Sequence, residues 1–151
     1  MFDKILVPLD RSDHSRRALD VAIQIAKKFD GKLTLVHVYS VVTSVIIRES
    51  PPLAMPYAPS IYASKFEDAA RKEGNSILAD SKRRAEAEKV EAEVMLREGH
   101  TVQEIIRVTK EDDYGLIVMG ARGVSRIREM LLGSVTDGVM HHVDCPVLIV
   151  R

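Results

Sequence analysis

Short apolar runs alternate along the chain with longer stretches of helical period. Ile5-Leu6-Val7-Pro8-Leu9 is apolar on both faces, which predicts a buried strand, and Pro8 places its end near the sheet edge or terminus. From Asp13 to Phe29 the apolar positions Ala18, Val21, Ala22, Ile25, Ala26 and Phe29 recur every three or four residues. That spacing predicts an amphipathic helix, with Ser12 or Asp10 as its cap and Gly31 just past its end. Residues 33–39 are rich in β-branched side chains and predict a second strand. Residues 61–88 keep helical spacing at Tyr62, Phe66, Ala69, Ala70, Ile77 and Ala85, although Gly74 weakens the middle by about 1 kcal/mol relative to alanine. Further elements follow: a strand at 93–96, a helix at 102–110 opened by a capping box of Thr101 and Glu104, and a very apolar strand at 116–119. A helix at 134–142 and a strand at 147–150 come last.

Strands alternating with helices, several of them apolar on both faces, predict an α/β fold in which a five-stranded parallel sheet carries helices on both faces. Crossovers in such a sheet are right-handed, so a ligand site belongs at the carboxyl ends of the strands, where strand order reverses. A length of 151 residues fits one domain, 1–151, able to bury roughly two thirds of its unfolded surface without disulfides or metal. One stretch resists the scheme. Residues at about 40–60 contain Pro51, Pro52, Pro56 and Pro59 together with an apolar run at 41–47, and this Pro-rich variable loop is long for a connection. It reads either as a lid or partner surface, or as a disordered excursion.

Charge and composition narrow the function classes. The 22 Lys and Arg balance 22 Asp and Glu, which argues against a nucleic acid or an anionic membrane as the main partner. The single Cys145 forms no intrachain disulfide, so a reducing cytoplasm is the expectation. No apolar run approaches the roughly 18 residues of a membrane span, and the apolar run after Lys4 is too short for a signal peptide, so the chain is expected to be soluble and unexported.

The most informative stretch is Met119-Gly120-Ala121-Arg122-Gly123, followed after nine residues by Gly133-Ser134-Val135-Thr136-Asp137. Gly120 and Gly123 let a backbone pass close to a ligand, and Gly133-Ser134 opens a helix whose free amides suit an anion. Ser134 and Thr136 add hydroxyls, while Arg122, Arg126 and Arg128 add positive charge. The same residues also fit a plain strand end, a helix cap and a solvated loop beside Glu129. The stretch is not a Walker A loop and lacks the Gly-x-Gly-x-x-Gly of a dinucleotide fold.

Gly, two residues, Gly, nine residues, Gly-Ser, set between the fourth strand and the last helix, resembles the ATP-binding signature of the universal stress protein family. Ile5-Leu6-Val7-Pro8-Leu9-Asp10-Arg11-Ser12 resembles that family's opening strand and acidic loop. Leu35-Val36-His37-Val38 resembles its second strand and Cys145-Pro146-Val147-Leu148-Ile149-Val150 its closing strand, so the likeness covers essentially the whole chain. The resemblance implies a flavodoxin-like, adenine nucleotide alpha hydrolase-like sheet of strand order 3-2-1-4-5. Asp10, with the backbone of Pro8 and Leu9, would meet the ribose or adenine edge, and Val38 would line the adenine pocket. Gly120, Arg122 and Gly123 would wrap the phosphates beside Met119, and Gly133, Ser134, Val135 and Thr136 would bind phosphate through amides and hydroxyls. ATP would bring Mg²⁺ or Mn²⁺, which either Asp10 or Asp13 could reach. The resemblance also implies a homodimer, and the apolar terminal strand offers an edge for one.

Other chemistries fit less well. A haloacid-dehalogenase-type phosphatase needs a second acid where Ser12 stands, and a response-regulator receiver needs an aspartate where the third strand has Leu96-Arg97-Glu98. Ser12, Asp13 and His14 are neighbours at a helix start and lack the convergent geometry of a hydrolase triad, so helix capping with a solvated histidine is expected. His141 and His142 are adjacent on a helix and diverge, which suits a helix C-terminus better than a metal. His37 reads as a core histidine that a neighbouring strand end could bring near a ligand, and Cys145 as a small buried residue. Two function classes remain: an ATP-dependent regulator or sensor with at most slow hydrolysis, and a nucleotide-independent interaction protein that works through residues 40–60 and a dimer edge with an unknown protein partner.

Overall fold

The computed structural model describes residues 2–40, 58–123 and 132–151. In chain order the described elements are β1 (Lys4–Pro8), α1 (Asp13–Phe29), β2 (Lys32–Tyr39), α2 (Ala58–Ala87), β3 (Ala92–Glu98), α3 (Thr101–Glu111), β4 (Leu116–Gly120), α4 (Ser134–Met140) and β5 (Val147–Val150). The strands form one parallel sheet of order β3-β2-β1-β4-β5, the order implied by the family resemblance. Between β1 and β4 the winding reverses, so the two strands leave a crevice at their carboxyl ends.

Two-residue alternation divides the core. Ile5, Val7, Leu33, Leu35 and Val118 pack under α1 and α2, while Leu6, Val36, Ile117 and Met119 pack under α3 and α4. All five residues of β4 are buried, as a central parallel strand covered on both faces requires. Most of the hydrophobic stabilisation lies in these two layers, because each fully buried aliphatic side chain contributes about 1.5–3 kcal/mol.

Helix faces depart from the sequence expectation in phase. Leu19 and Ile23 are buried in α1 alongside Ala18, Ala22 and Ala26, whereas Phe29 is 49% exposed and Val21 and Ile25 are only partly buried. The small residues let α1 lie close to the sheet, and the side chains beside them, not the longest apolar stripe, then face the core. Among the described residues of α2 the buried ones are Gly74, Leu78, Ser81 and Ala85, while Phe66 is 64% exposed. Tyr62 lies among residues whose side chains are outside the described set, as does most of the Pro-rich stretch at 41–57.

The capping box at α3 does not form. His100 is the N-cap and makes no side-chain cap bond; Thr101 is the first helical residue, one position too late to cap. Glu104 instead accepts from Arg107 Nη1 at 2.6 Å and is buried. At α4 the helix stops at Met140, and the rings of His141 and His142 bond the carbonyls of Asp137 and Gly138 through Nδ1 at 2.8 and 2.7 Å. These exposed histidines thus finish a helix C-terminus, as expected. Cys145 is half-buried against the α3/α4 layer.

Gly74 shows why a helix breaker sits inside a 30-residue helix. A Cβ there would lie 2.6 Å from His37 Cδ2 and 2.6 Å from Leu96 Cδ1. Leu96 can rotate away, but the His37 ring is held by its Nδ1 contact with the Leu9 carbonyl at 2.8 Å. Gly74→Ala is therefore expected to lower stability by about 1–2 kcal/mol by denaturant titration, the overpacking outweighing the gain in helix propensity. Burial pushes the Cys145 thiol pKa up, which keeps it protonated at neutral pH. Alkylation of the native protein at pH 7 should accordingly run slower than for a free thiol and reach the free-thiol rate on unfolding.

Candidate functional site

Three loops meet at the carboxyl ends of β1, β2 and β4. The first runs from β1 into α1, where Ser12 caps the helix and its hydroxyl accepts from the Ser15 amide at 3.1 Å. The Asp10 carboxylate accepts from the Ser12 amide at 2.8 Å through Oδ1, and the Asp10 amide donates to Ser15 Oγ at 3.0 Å. These two short-range bonds fix the acidic side chain relative to the helix start.

The second loop follows β4. Gly120 ends that strand against the first turn of α1: a Cβ would sit 2.7 Å from the His14 carbonyl carbon and 2.9 Å from the Ser15 amide nitrogen. Backbone cannot yield as a side chain can, so this position accepts no side chain without moving α1. At Gly123 a Cβ would meet Asp10 Oδ2 at 2.7 Å. The acidic loop and the glycine loop are therefore in close approach across the crevice.

A third segment, Gly133 into α4, closes the site. The Gly133 amide donates to the Ala121 carbonyl at 2.7 Å, and the Thr136 hydroxyl donates to the Gly120 carbonyl at 2.8 Å from a position only 3% exposed. Thr136 thus holds the glycine turn from behind. The resulting cleft has a volume of about 310 Å³.

All twelve sequence-predicted site residues line this cleft. Pro8, Leu9 and Asp10 come from the β1 end, Val38 from β2, and Met119, Gly120, Arg122 and Gly123 from β4 and its loop. Gly133, Ser134, Val135 and Thr136 come from the start of α4. Arg126 and Arg128 lie outside the described residues. Five further residues share the lining: Ser15, Val36, His37, Thr101 and Ile105. Thr101 and Ile105 are i and i+4 on α3, and the sequence signal for them is topological, since in a parallel sheet that helix start must also lie at the carboxyl edge. His37 is both a packed histidine, bonded to the Leu9 carbonyl, and a lining residue. His14 differs from expectation, because its Nδ1 is buried without a partner where α1 packs against Gly120.

A wider depression lies at the amino-terminal side of β2, and the ion pairs Lys27–Glu88 and Lys32–Glu91 line it. Its lining is mainly charged and polar, with Ala26, Ala87 and Val90 as the apolar members. The switch-point cleft combines Val36, Val38, Ile105 and Met119 with convergent backbone and carboxylate groups, the composition of a small-molecule site. Among the described residues no group of three or more His, Cys, Asp or Glu side chains could hold a metal ion, and no helix is long and apolar enough to cross a membrane.

A doubly wound parallel sheet with a glycine-walled cleft at its switch point defines the class. All 151 residues match the family model described as the universal stress protein family. Over 151 residues the chain is 38% identical to the universal stress protein YxiE of Bacillus subtilis, covering all of both chains. Its fold is similar to that of the universal stress protein UspA from Lactobacillus plantarum, with a TM-score of 0.83 at 23% identity over 99% of this chain and 98% of that one. It is also similar to a universal stress protein in complex with cAMP, with a TM-score of 0.66 at 28% identity over 99% and 97% of the two chains. The chain belongs to the universal stress protein family.

Thr136→Val keeps the volume and removes the hydroxyl that donates to the Gly120 carbonyl. It should lower stability by about 1–3 kcal/mol, the cost of an unsatisfied buried acceptor, in chemical denaturation.

Proposed function

We propose that the protein binds ATP in the switch-point cleft and acts as a nucleotide-dependent regulator or sensor in a stress response, with hydrolysis slow at most. The observation that carries this reading is the apposition of Asp10 to a wall of side-chain-free backbone at Gly120, Gly123 and Gly133. A carboxylate accepts hydrogen bonds from sugar hydroxyls or an amino group, and bare backbone admits a phosphate chain to amide donors. The apolar strip from Val36, Val38 and Met119 suits the faces of a purine. That a similar universal stress protein is seen in complex with cAMP supports the adenine choice.

Phosphate contacts would come from the amides of Ser134 and Val135, the Ser134 hydroxyl and the Gly120, Arg122 and Gly123 loop, with Gly133 contributing its lack of a side chain, since its amide is engaged with the Ala121 carbonyl. Because α4 is only seven residues long, its dipole adds little and the local donors carry the binding. Thr136 contributes by position, since its proton is engaged with the Gly120 carbonyl. Mg²⁺ or Mn²⁺ would arrive with the phosphates and supply charge neutralisation there. Asp10 fits that role better than Asp13, whose carboxylate is exposed and paired with Arg16.

Regulation in this reading takes place in the cytoplasm and in a homodimer. β5 is an edge of the sheet with Leu148 37% exposed, and pairing with a second copy would cover it. The whole chain, 1–151, then acts as one domain toward an unknown protein partner.

Calorimetric titration of nucleotide-stripped protein with MgATP, with GTP and AMP as controls, tests the proposal. Saturable micromolar binding, about −8 kcal/mol, is expected, with turnover well below about 1 per second. Gly133→Leu should abolish it, because even a Cβ there would lie 3.3 Å from Arg122 Cα. Absence of heat and of thermal shift at millimolar ATP would overturn the reading in favour of a nucleotide-independent interaction module.

A further inference from the structure

Ser12 occupies a place in the fold that a helix cap alone does not explain. Its hydroxyl accepts from the Ser15 amide, as a cap does, and also donates to the Arg122 carbonyl at 3.2 Å, 110 positions away in sequence. Its own amide donates to Asp10 Oδ1, and its carbonyl accepts from the Arg16 amide at 3.2 Å. With only 8% exposure, the side chain is sheltered from water that would compete for these bonds. One residue therefore touches the acidic loop, the start of α1 and the glycine loop at once.

We infer that Ser12 is a positioning residue, a clasp that holds the glycine loop at a fixed separation from Asp10 and so keeps the cleft open to its ligand's width. Chemistry restricts the residue. The site needs an acceptor for the Ser15 amide and a donor for the Arg122 carbonyl on the same short side chain, which a hydroxyl provides and a carboxylate does not. Aspartate would cap the helix equally well but would turn a second acceptor toward the Arg122 carbonyl. Glycine caps only slightly less well than serine and offers no donor, so it separates the two roles. The neighbouring bonds show what the clasp completes. Thr136 fixes the Gly120 carbonyl and the Gly133 amide fixes the Ala121 carbonyl, so Ser12 supplies the third consecutive carbonyl with its partner.

The consequence for ligand binding rests on the nucleotide reading given above, but the clasp itself does not. Hydrogen exchange in the nucleotide-free protein reads the loop directly. Ser12→Gly should accelerate exchange of the amides at 121–123 about tenfold, the loss of one hydrogen bond of ordinary net strength, while Ser12→Thr should restore the wild-type rate. Amides in the centres of α1 and β4 serve as the control, since a mere loss of the cap would raise exchange in α1 and leave the glycine loop unchanged. That second pattern would overturn the inference. For MgATP, titrated into the same proteins, Ser12→Gly should bind about tenfold more weakly with Ser12→Thr recovering. Loop exchange accelerated by Ser12→Gly together with no ATP binding by the wild type would uphold the clasp and remove the nucleotide reading instead.

Discussion

Where Gly120 meets the first turn of α1, the structure leaves no room for a side chain. That single contact determines much of what lies around it. Because β4 and α1 touch through backbone, the α1 N-terminus is pinned to the carboxyl end of β4, and the loop before it is brought beside the loop after β4. Ser12 then reaches the Arg122 carbonyl, and Asp10 comes to stand against Gly123. A strand order that reverses between β1 and β4 makes a crevice possible; the glycine contact decides its width. The buried unpartnered nitrogen of His14 sits at the same contact, a sign that close backbone packing was favoured there over satisfying a side chain.

Much of this arrangement was legible in residue order, for a definite reason. Strands buried on both faces give unbroken apolar runs, so β1, β4 and β5 were found with bounds within a residue or two, and α1 was bounded correctly by Ser12, one of two candidate caps, and by Gly31 just past its end. Which side of a helix faces the sheet was less legible. In α1 both Leu19–Ile23 and Val21–Ile25 are apolar pairs four residues apart, and only the depth to which Ala18, Ala22 and Ala26 let the helix sink selects the first. In α2 the apolar period includes Phe66, which is exposed, while Gly74 is buried where the helix rests on His37 and Leu96. Periodicity records what could be buried, and the length of the neighbouring strands decides what is.

The site divides in the same way. Its twelve predicted positions converge because they lie at strand ends or at the start of α4, and those places follow from the apolar runs and the Gly133-Ser134 helix opening. Thr101 and Ile105 were not placed there, and His37 only as a core histidine that a strand end could bring near a ligand, since their contribution depends on how far each element extends past the sheet. Thr101 carried a misleading local signal: the threonine and glutamate three apart spell a capping box, but the helix starts one residue earlier and Glu104 turns to Arg107. A local pattern of two residues was overruled by a backbone path that Gly99, bonded to the Tyr39 carbonyl, sets from outside the pattern.

Zero net charge constrains how an anionic ligand would be recognised. A protein without a basic excess has no long-range field to gather a nucleotide, and beyond about 8–10 Å physiological salt screens what field remains. Attraction must then arise at contact, from amides already held in place. Most of the described ion pairs lie exposed on the outer faces and contribute little to either stability or the cleft. The order of the glycine loop therefore matters more here than in a strongly basic site: each amide that must be immobilised on binding subtracts from a modest contact energy. A chain of serine, threonine and backbone bonds that immobilises the loop beforehand is what a neutral protein needs in order to bind an anion by short-range contacts alone.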